Sequence, residues 1–217
     1  MFRLSLNGKS PAIRKVLCLG AYADDIEIGC GGTVLRLLAE NSSLEFYWVV
    51  LSSTRERERE AHRSVQLFLR GARRKTTVVK NFRNSFFPYV ATEIKEYFEE
   101  LKREISPDLI FTHYRNDLHQ DHRLVSELTW NTFRNHFILE YEIPKYDGDL
   151  GTPNVFVDLN KSRCRRKVRY LLAVFHSQKE KQWFTEGTFL GLMQLRGIES
   201  NASGAFAEAF YCRKLVL

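Results

Sequence analysis

Leu19-Gly20-Ala21-Tyr22-Ala23-Asp24-Asp25-Ile26-Glu27-Ile28-Gly29-Cys30-Gly31-Gly32-Thr33 is the stretch around which the chain is organised. Residues 16–20 read as a short buried strand, two adjacent carboxylates stand beyond its end, and a glycine cluster leads into the apolar-periodic run 34–38. The order is strand, acidic turn, helix. In open α/β sheets the carboxyl ends of strands carry ligands, so a carboxylate pair there is placed for chemistry. Taken alone, the pair reads equally well as a helix cap, because aspartate is favoured at the N-cap and complements the helix dipole.

A second stretch tips the balance. Asp108-Leu109-Ile110-Phe111-Thr112-His113 is another apolar strand, and Asp117-Leu118-His119-Gln120-Asp121-His122 follows it, ahead of a helical run over 123–133. The His119 and His122 imidazoles share one side of a turn entering a helix, and imidazole with carboxylate is the ordinary ligand set of zinc and related divalent metals. One such loop cannot complete a catalytic site, which takes three protein ligands and leaves a position for water. The acidic pair after the first strand supplies what this loop lacks.

The 217 residues fit a single domain over 1–217 with a full core, and 44% hydrophobic with 27% charged residues is ordinary globular composition. Apolar runs are strand-length, so no membrane span is expected, and residues 1–15 alternate apolar and basic residues without the apolar block of a signal peptide. A cytoplasmic protein is the expectation. Cys18, Cys30, Cys164 and Cys212 are scattered, which favours reduced, buried thiols over disulfides. The net charge of +7 comes mostly from two clusters, one around Arg55 to Lys75 that alternates with glutamates, and one made of Lys161, Arg163, Arg165, Arg166, Lys167 and Arg169. Neither interleaves aromatic residues as single-strand binders do, so both are expected to be solvated faces, with no nucleic-acid partner.

Strand and helix signals then alternate. Strands are expected at 44–51, 75–79, 108–112 and 137–143, and helices at 55–69, 92–104 and 123–133, with Ser52-Ser53-Thr54 capping the first of these. This rhythm predicts an α/β fold, a Rossmann-like, mostly parallel sheet flanked by helices. The dinucleotide fingerprint is missing and carboxylates fill the turn where a pyrophosphate needs bare amides. After a turn-rich segment over 144–154, read as a connector or a lid, an edge strand at 155–159 and helices at 161–175 and 185–195 follow, before Ala205-Phe206-Ala207-Glu208-Ala209-Phe210 and the closing Leu215-Val216-Leu217.

Residues 20–33, with Asp24-Asp25 and Gly29-Cys30-Gly31-Gly32-Thr33, together with His119-Gln120-Asp121-His122, resemble the LmbE-like or PIG-L-type deacetylases, metal-dependent enzymes that remove acetyl groups from N-acetylglucosamine derivatives. Arg57-x-x-Glu60, His176-Ser177-Gln178 and Ala207-Glu208-Ala209-Phe210 extend the similarity along nearly the whole chain. The resemblance implies a hydrolase in which Asp25 and His122 are metal ligands and Asp24 is the general base. It implies further that His119 stabilises or protonates the tetrahedral intermediate, with Asp121 orienting His119. Arg57 becomes a candidate for binding a substrate hydroxyl or phosphate, although an exposed Arg-Glu helix pair is the commoner arrangement. The implied cofactor is a divalent metal, most simply zinc, and the implied partner is a small amino-sugar substrate, free or conjugated to a nucleotide or lipid.

One position departs from the family. Its opening motif is His-Pro-Asp-Asp; here it is Tyr22-Ala23-Asp24-Asp25. A phenol is a poorer ligand than imidazole at neutral pH because binding it costs a proton. Either Tyr22 ligates as phenolate, or Glu27, His113 or water fills the place, or the site is impaired and the protein is a sugar-binding or scaffold member of the fold. His113 ends the fourth strand, where a histidine satisfied by its own surroundings is the commoner finding.

Overall fold

The computed structural model describes residues 13–215. The expectations for the N-terminal stretch and for the last two residues of the closing Leu215-Val216-Leu217 lie outside the described residues. Seven strands form one sheet, β1 (Lys15–Tyr22), β2 (Glu45–Ser52), β3 (Arg74–Val79), β4 (Leu109–His113), β5 (Phe137–Tyr141), β6 (Val155–Leu159) and β7 (Phe206–Tyr211), in the order β3-β2-β1-β4-β5-β7-β6. The first five pair in parallel, as alternating strand and helix signals require, and β7 runs antiparallel between β5 and β6.

Burial explains why β1 reads as an unbroken apolar run rather than an alternating one. Val16 and Cys18 pack toward α1 (Asp25–Glu40), α2 (Arg55–Phe68), α5 (Lys161–Val174) and α6 (Glu186–Glu199). Leu17, Leu19 and Ala21 pack toward α3 (Ala91–Glu104) and α4 (Gln120–Thr132). A parallel strand covered on both faces has no polar side to show. No helix among the described residues is long and apolar enough to cross a membrane.

Two outcomes differ from the sequence reading. The helix after β1 begins at Asp25, so the glycine cluster is helical rather than a turn. An added Cβ at Gly29 would lie 2.2 Å from the Tyr141 ring, and one at Gly31 would lie 2.6 Å from the Phe68 ring. The glycines therefore serve close packing. Second, Lys167 from the basic cluster is not solvated: only 3% exposed, its ammonium donates to Glu208 Oε1 at 2.7 Å and to the carbonyl of Ile28 at 2.5 Å. Glu208 also accepts from the Gly32 and Thr33 amides at 2.8 and 2.6 Å and from the Thr33 hydroxyl at 2.6 Å. The Ala207-Glu208-Ala209-Phe210 motif is thus a buried ionic rivet joining α1, α5 and β7.

Candidate metal centre

β1 and β4 are neighbours, yet the chain leaves β1 toward β2 and leaves β4 toward β5, so the sheet order reverses between them. Loops diverge at such a switch point and open a crevice. Tyr22, Asp24 and Asp25 stand at the end of β1, and His113 ends β4. The loop after β4 and the first turn of α4 bring Asp117, His119, Asp121 and His122 to the same place.

Asp25 opens α1. Its Oδ2 accepts from the Tyr22 amide at 2.6 Å and lies 3.2 Å from His113 Nε2 and 3.8 Å from His122 Nε2. Asp25, His113 and His122 are all buried and offer ligand atoms lying within 4.8 Å of one another. Burial works against the Asp25 carboxylate, but the two imidazoles and the Tyr22 amide outweigh it and bring its pKa down to about 2. His113 moves the other way: burial, then the neighbouring His122, lower it to about 4, which keeps it neutral. Its ring stacks on His122 with centroids 3.9 Å apart and leans on Tyr141 at 4.9 Å.

Asp117 completes this arrangement. Its Oδ2 is 2.9 Å from His122 Nδ1, while Oδ1 accepts from the His119 amide at 2.8 Å and from Lys145 Nζ at 3.0 Å. A carboxylate at Nδ1 holds the Nδ1–H tautomer and leaves the lone pair on Nε2. His122 Nε2 is buried without a hydrogen-bond partner and faces Asp25. An orphaned His122 lone pair beside a carboxylate fits a divalent cation, with His113 the third member of the group although its Nε2 also accepts from the Ala21 amide at 3.0 Å. Sequence reading passed over Asp117; the available signal was a carboxylate in the same polar turn, five residues before a candidate ligand.

Asp24 occupies the N-cap position of α1 with φ of 118°, a left-handed conformation uncommon outside glycine, and its side chain caps no amide. That removes the capping interpretation of the acidic pair. The Asp24 carboxylate instead receives Arg57 Nη2 at 2.5 Å, and the same guanidinium donates to the Ala23 carbonyl and, through Nη1, to Ser177 Oγ at 3.1 Å. Glu60 accepts from the Ser177 amide at 2.9 Å and from its hydroxyl at 2.6 Å. The Arg57-x-x-Glu60 and His176-Ser177-Gln178 motifs are therefore two halves of one clamp behind Asp24, and Arg57 is largely buried rather than an exposed helix pair. Burial raises Asp24 to about 8, with Arg57 opposing it and the charges of Asp25 and Glu27 adding to it.

The remaining sequence candidates fall as follows. His119 caps α4, its Nδ1 accepting from the Asp121 amide at 3.2 Å, with its ring stacked 4.6 Å from His122; burial, then His122, lower its pKa. The expected pairing of the Asp121 carboxylate with His119 does not form. Asp121 Oδ2 accepts from the Tyr22 hydroxyl at 2.6 Å and Oδ1 from the Phe87 amide at 3.2 Å. Tyr22 accordingly points its hydroxyl at Asp121, away from the role of phenolate ligand, and burial together with Asp121 holds its pKa far above the ordinary phenol value. Glu27 is buried, with burial raising it to about 7, and is not part of the Asp25, His113 and His122 group. The 144–154 segment folds back on the site as a strut: Lys145 binds Asp117 and Asp149, and the Leu118 amide donates to Asp149 at 2.7 Å.

Residues 17–133 match the family model PIG-L, described as GlcNAc-PI de-N-acetylase. Among solved structures, the chain is similar to the conserved protein TT1542 from Thermus thermophilus, at 21% identity with TM-score 0.75, over 93% of this chain and 96% of that one. It is similar also to the N,N'-diacetylchitobiose deacetylase from Pyrococcus horikoshii, at 20% identity with TM-score 0.66, over 92% and 84%. A third likeness is to the 4-carboxy-2-hydroxymuconate hydratase GalB from Pseudomonas putida, at 14% identity with TM-score 0.74, over 94% and 98%. A deacetylase and a hydratase on one backbone mean that the chemistry has to be argued from the side chains.

Proposed function

The chain belongs to the PIG-L family, and from that premise we propose that it is a metal-dependent hydrolase that removes an N-acetyl group from an N-acetylglucosamine-type amino sugar or its conjugate. The observation that carries the reading is a buried carboxylate, Asp24, held by Arg57 one residue away from the buried Asp25, His113 and His122 group. A divalent ion bound by those three residues supplies the Lewis acid that an unreactive amide needs and acidifies water. Asp24 takes the proton of the attacking water, its carboxylate held beside the Arg57 guanidinium. Arg57 keeps that carboxylate aimed and its left-handed backbone in place. His119, the least buried of the three imidazoles, stabilises or protonates the tetrahedral intermediate, and the proton taken up by Asp24 passes to the departing amine nitrogen, so that water oxygen ends on acetate and the carbon–nitrogen bond breaks to a free amine.

In this reading His113 stands in for the imidazole that the family places where this chain has Tyr22, supported by its position beside Asp25 and His122. That substitution of one imidazole by another favours retained metal binding over an impaired scaffold. The test is metal content of the purified protein and acetate release from N-acetylglucosamine, its nucleotide-linked form and simple glycosides. Asp24→Asn is expected to lower kcat by at least about 100-fold with metal content unchanged. A protein that takes up no zinc on dialysis would be the scaffold instead, and equal turnover by Asp24→Asn would remove Asp24 from the mechanism.

A further inference from the structure

We propose that Tyr22 is a positioning residue that clips the segment 83–89 against the site, making that segment one wall of the substrate entrance; the wall's role rests on the deacetylase reading, the clip does not. Four ties converge on the segment. The Ser85 amide donates to the Tyr22 hydroxyl at 3.3 Å, and the Ser85 carbonyl accepts from Gln120 Nε2 at 2.6 Å. The Phe87 amide donates to Asp121 Oδ1, whose other oxygen holds the Tyr22 hydroxyl, and the rings of Tyr22 and Phe87 lie 6.1 Å apart. Phe87 is fully buried, yet Ser85 sits at φ of 62°, a conformation a serine keeps only when its surroundings impose it.

Gln120 and Asp121 belong to the motif that carries His119 and His122, and the Tyr22 ring stands 5.5 Å from His119 and 5.7 Å from His122. The segment is therefore fastened beside the two imidazoles, not somewhere remote. What it displays there is aromatic: Phe86 is 36% and Tyr89 75% exposed, their rings 5.8 Å apart, with the Arg83 guanidinium 3.6 Å over Phe86. Exposed rings beside a polar centre suit the apolar face of a pyranose or of the group attached to it. An imidazole at position 22 ends short of the phenolic oxygen that both Ser85 and Asp121 use. Tyrosine there gives up ligation and gains a fastener.

Tyr22→Phe removes only the hydroxyl. Amide exchange at Ser85 is expected to speed up by about tenfold, the scale of one charge-assisted hydrogen bond, with trypsin cleavage after Arg83 accelerating in parallel and exchange in the core of β1 unchanged. Zinc stoichiometry stays as in the unsubstituted protein, and KM for the acetylated sugar rises more than kcat falls. Unchanged exchange and cleavage across 83–89 would overturn the clip whatever the activity, and loss of zinc would make Tyr22 a ligand instead. Gln120→Ala, which cuts a separate tie, should give the same segment-specific signature. Phe86→Ala should raise KM with Ser85 exchange unaltered, and an unmoved KM refutes the wall. If the unsubstituted protein turns over no acetylated sugar, the functional reading fails while the exchange and proteolysis arms still decide the clip.

Discussion

Asp117→Asn is the substitution that most directly probes how the centre is built. Asp117 Oδ1 receives two donors, the His119 amide and the Lys145 ammonium, so that side of the carboxyl must remain an oxygen. An asparagine is then obliged to turn its NH2 toward His122 Nδ1, 2.9 Å from the present Oδ2. That nitrogen becomes an acceptor, the ring proton moves to Nε2, and the lone pair facing Asp25 is lost. Changes of this kind cost about 10–100-fold in metal affinity, or about 1.4–2.8 kcal/mol. Zinc binding by chelator competition gives the affinity, the melting temperature of metal-stripped protein checks the fold, and nitrogen chemical shifts of the His122 ring report the tautomer. Affinity within threefold of the unsubstituted protein, or an unchanged tautomer, would refute the reasoning.

Three other outcomes follow from the packing and the site. Glu208→Ala strands the Lys167 ammonium in the interior and should cost about 3–5 kcal/mol in urea unfolding, whereas replacing both residues by apolar ones should cost far less. Gly29→Ala places a methyl group 2.2 Å from a Tyr141 ring whose hydroxyl is fixed to the Leu19 carbonyl, so a loss of about 1–3 kcal/mol or more is expected by the same measurement. Zinc at about 100 times its dissociation constant should stabilise the protein by about 2.7 kcal/mol, visible as a raised melting temperature that His113→Ala abolishes.

The fold was readable because β1 to β4 each carry a local signal, an apolar run with a helical period after it, and β5 carries the apolar run alone, and local signals survive in a single sequence. The Asp24-Asp25 pair and the His119 to His122 motif were readable for the same reason. What escaped depends on contacts distant in sequence. β7 contains two alanines and a glutamate, a weak strand pattern, and becomes a strand because β5 and β6 pair with it from either side. His113 is a lone histidine at a strand end that joins the Asp25 and His122 group only because β4 lies beside β1. Asp121 sits where a carboxylate is expected to orient His119, yet a helix turn points it at Tyr22, a direction that spacing along the chain does not encode.

Gly29, Gly31 and Gly32 let one helix lie flush against the Tyr141, Phe68 and Leu159 side chains, with no bulk of its own to yield. A helix seated so tightly cannot slide along its axis or roll without collision, so the residue at its head is located by contacts one and two turns behind it. Asp25 thereby keeps its coordinates independently of whichever side chain occupies position 22.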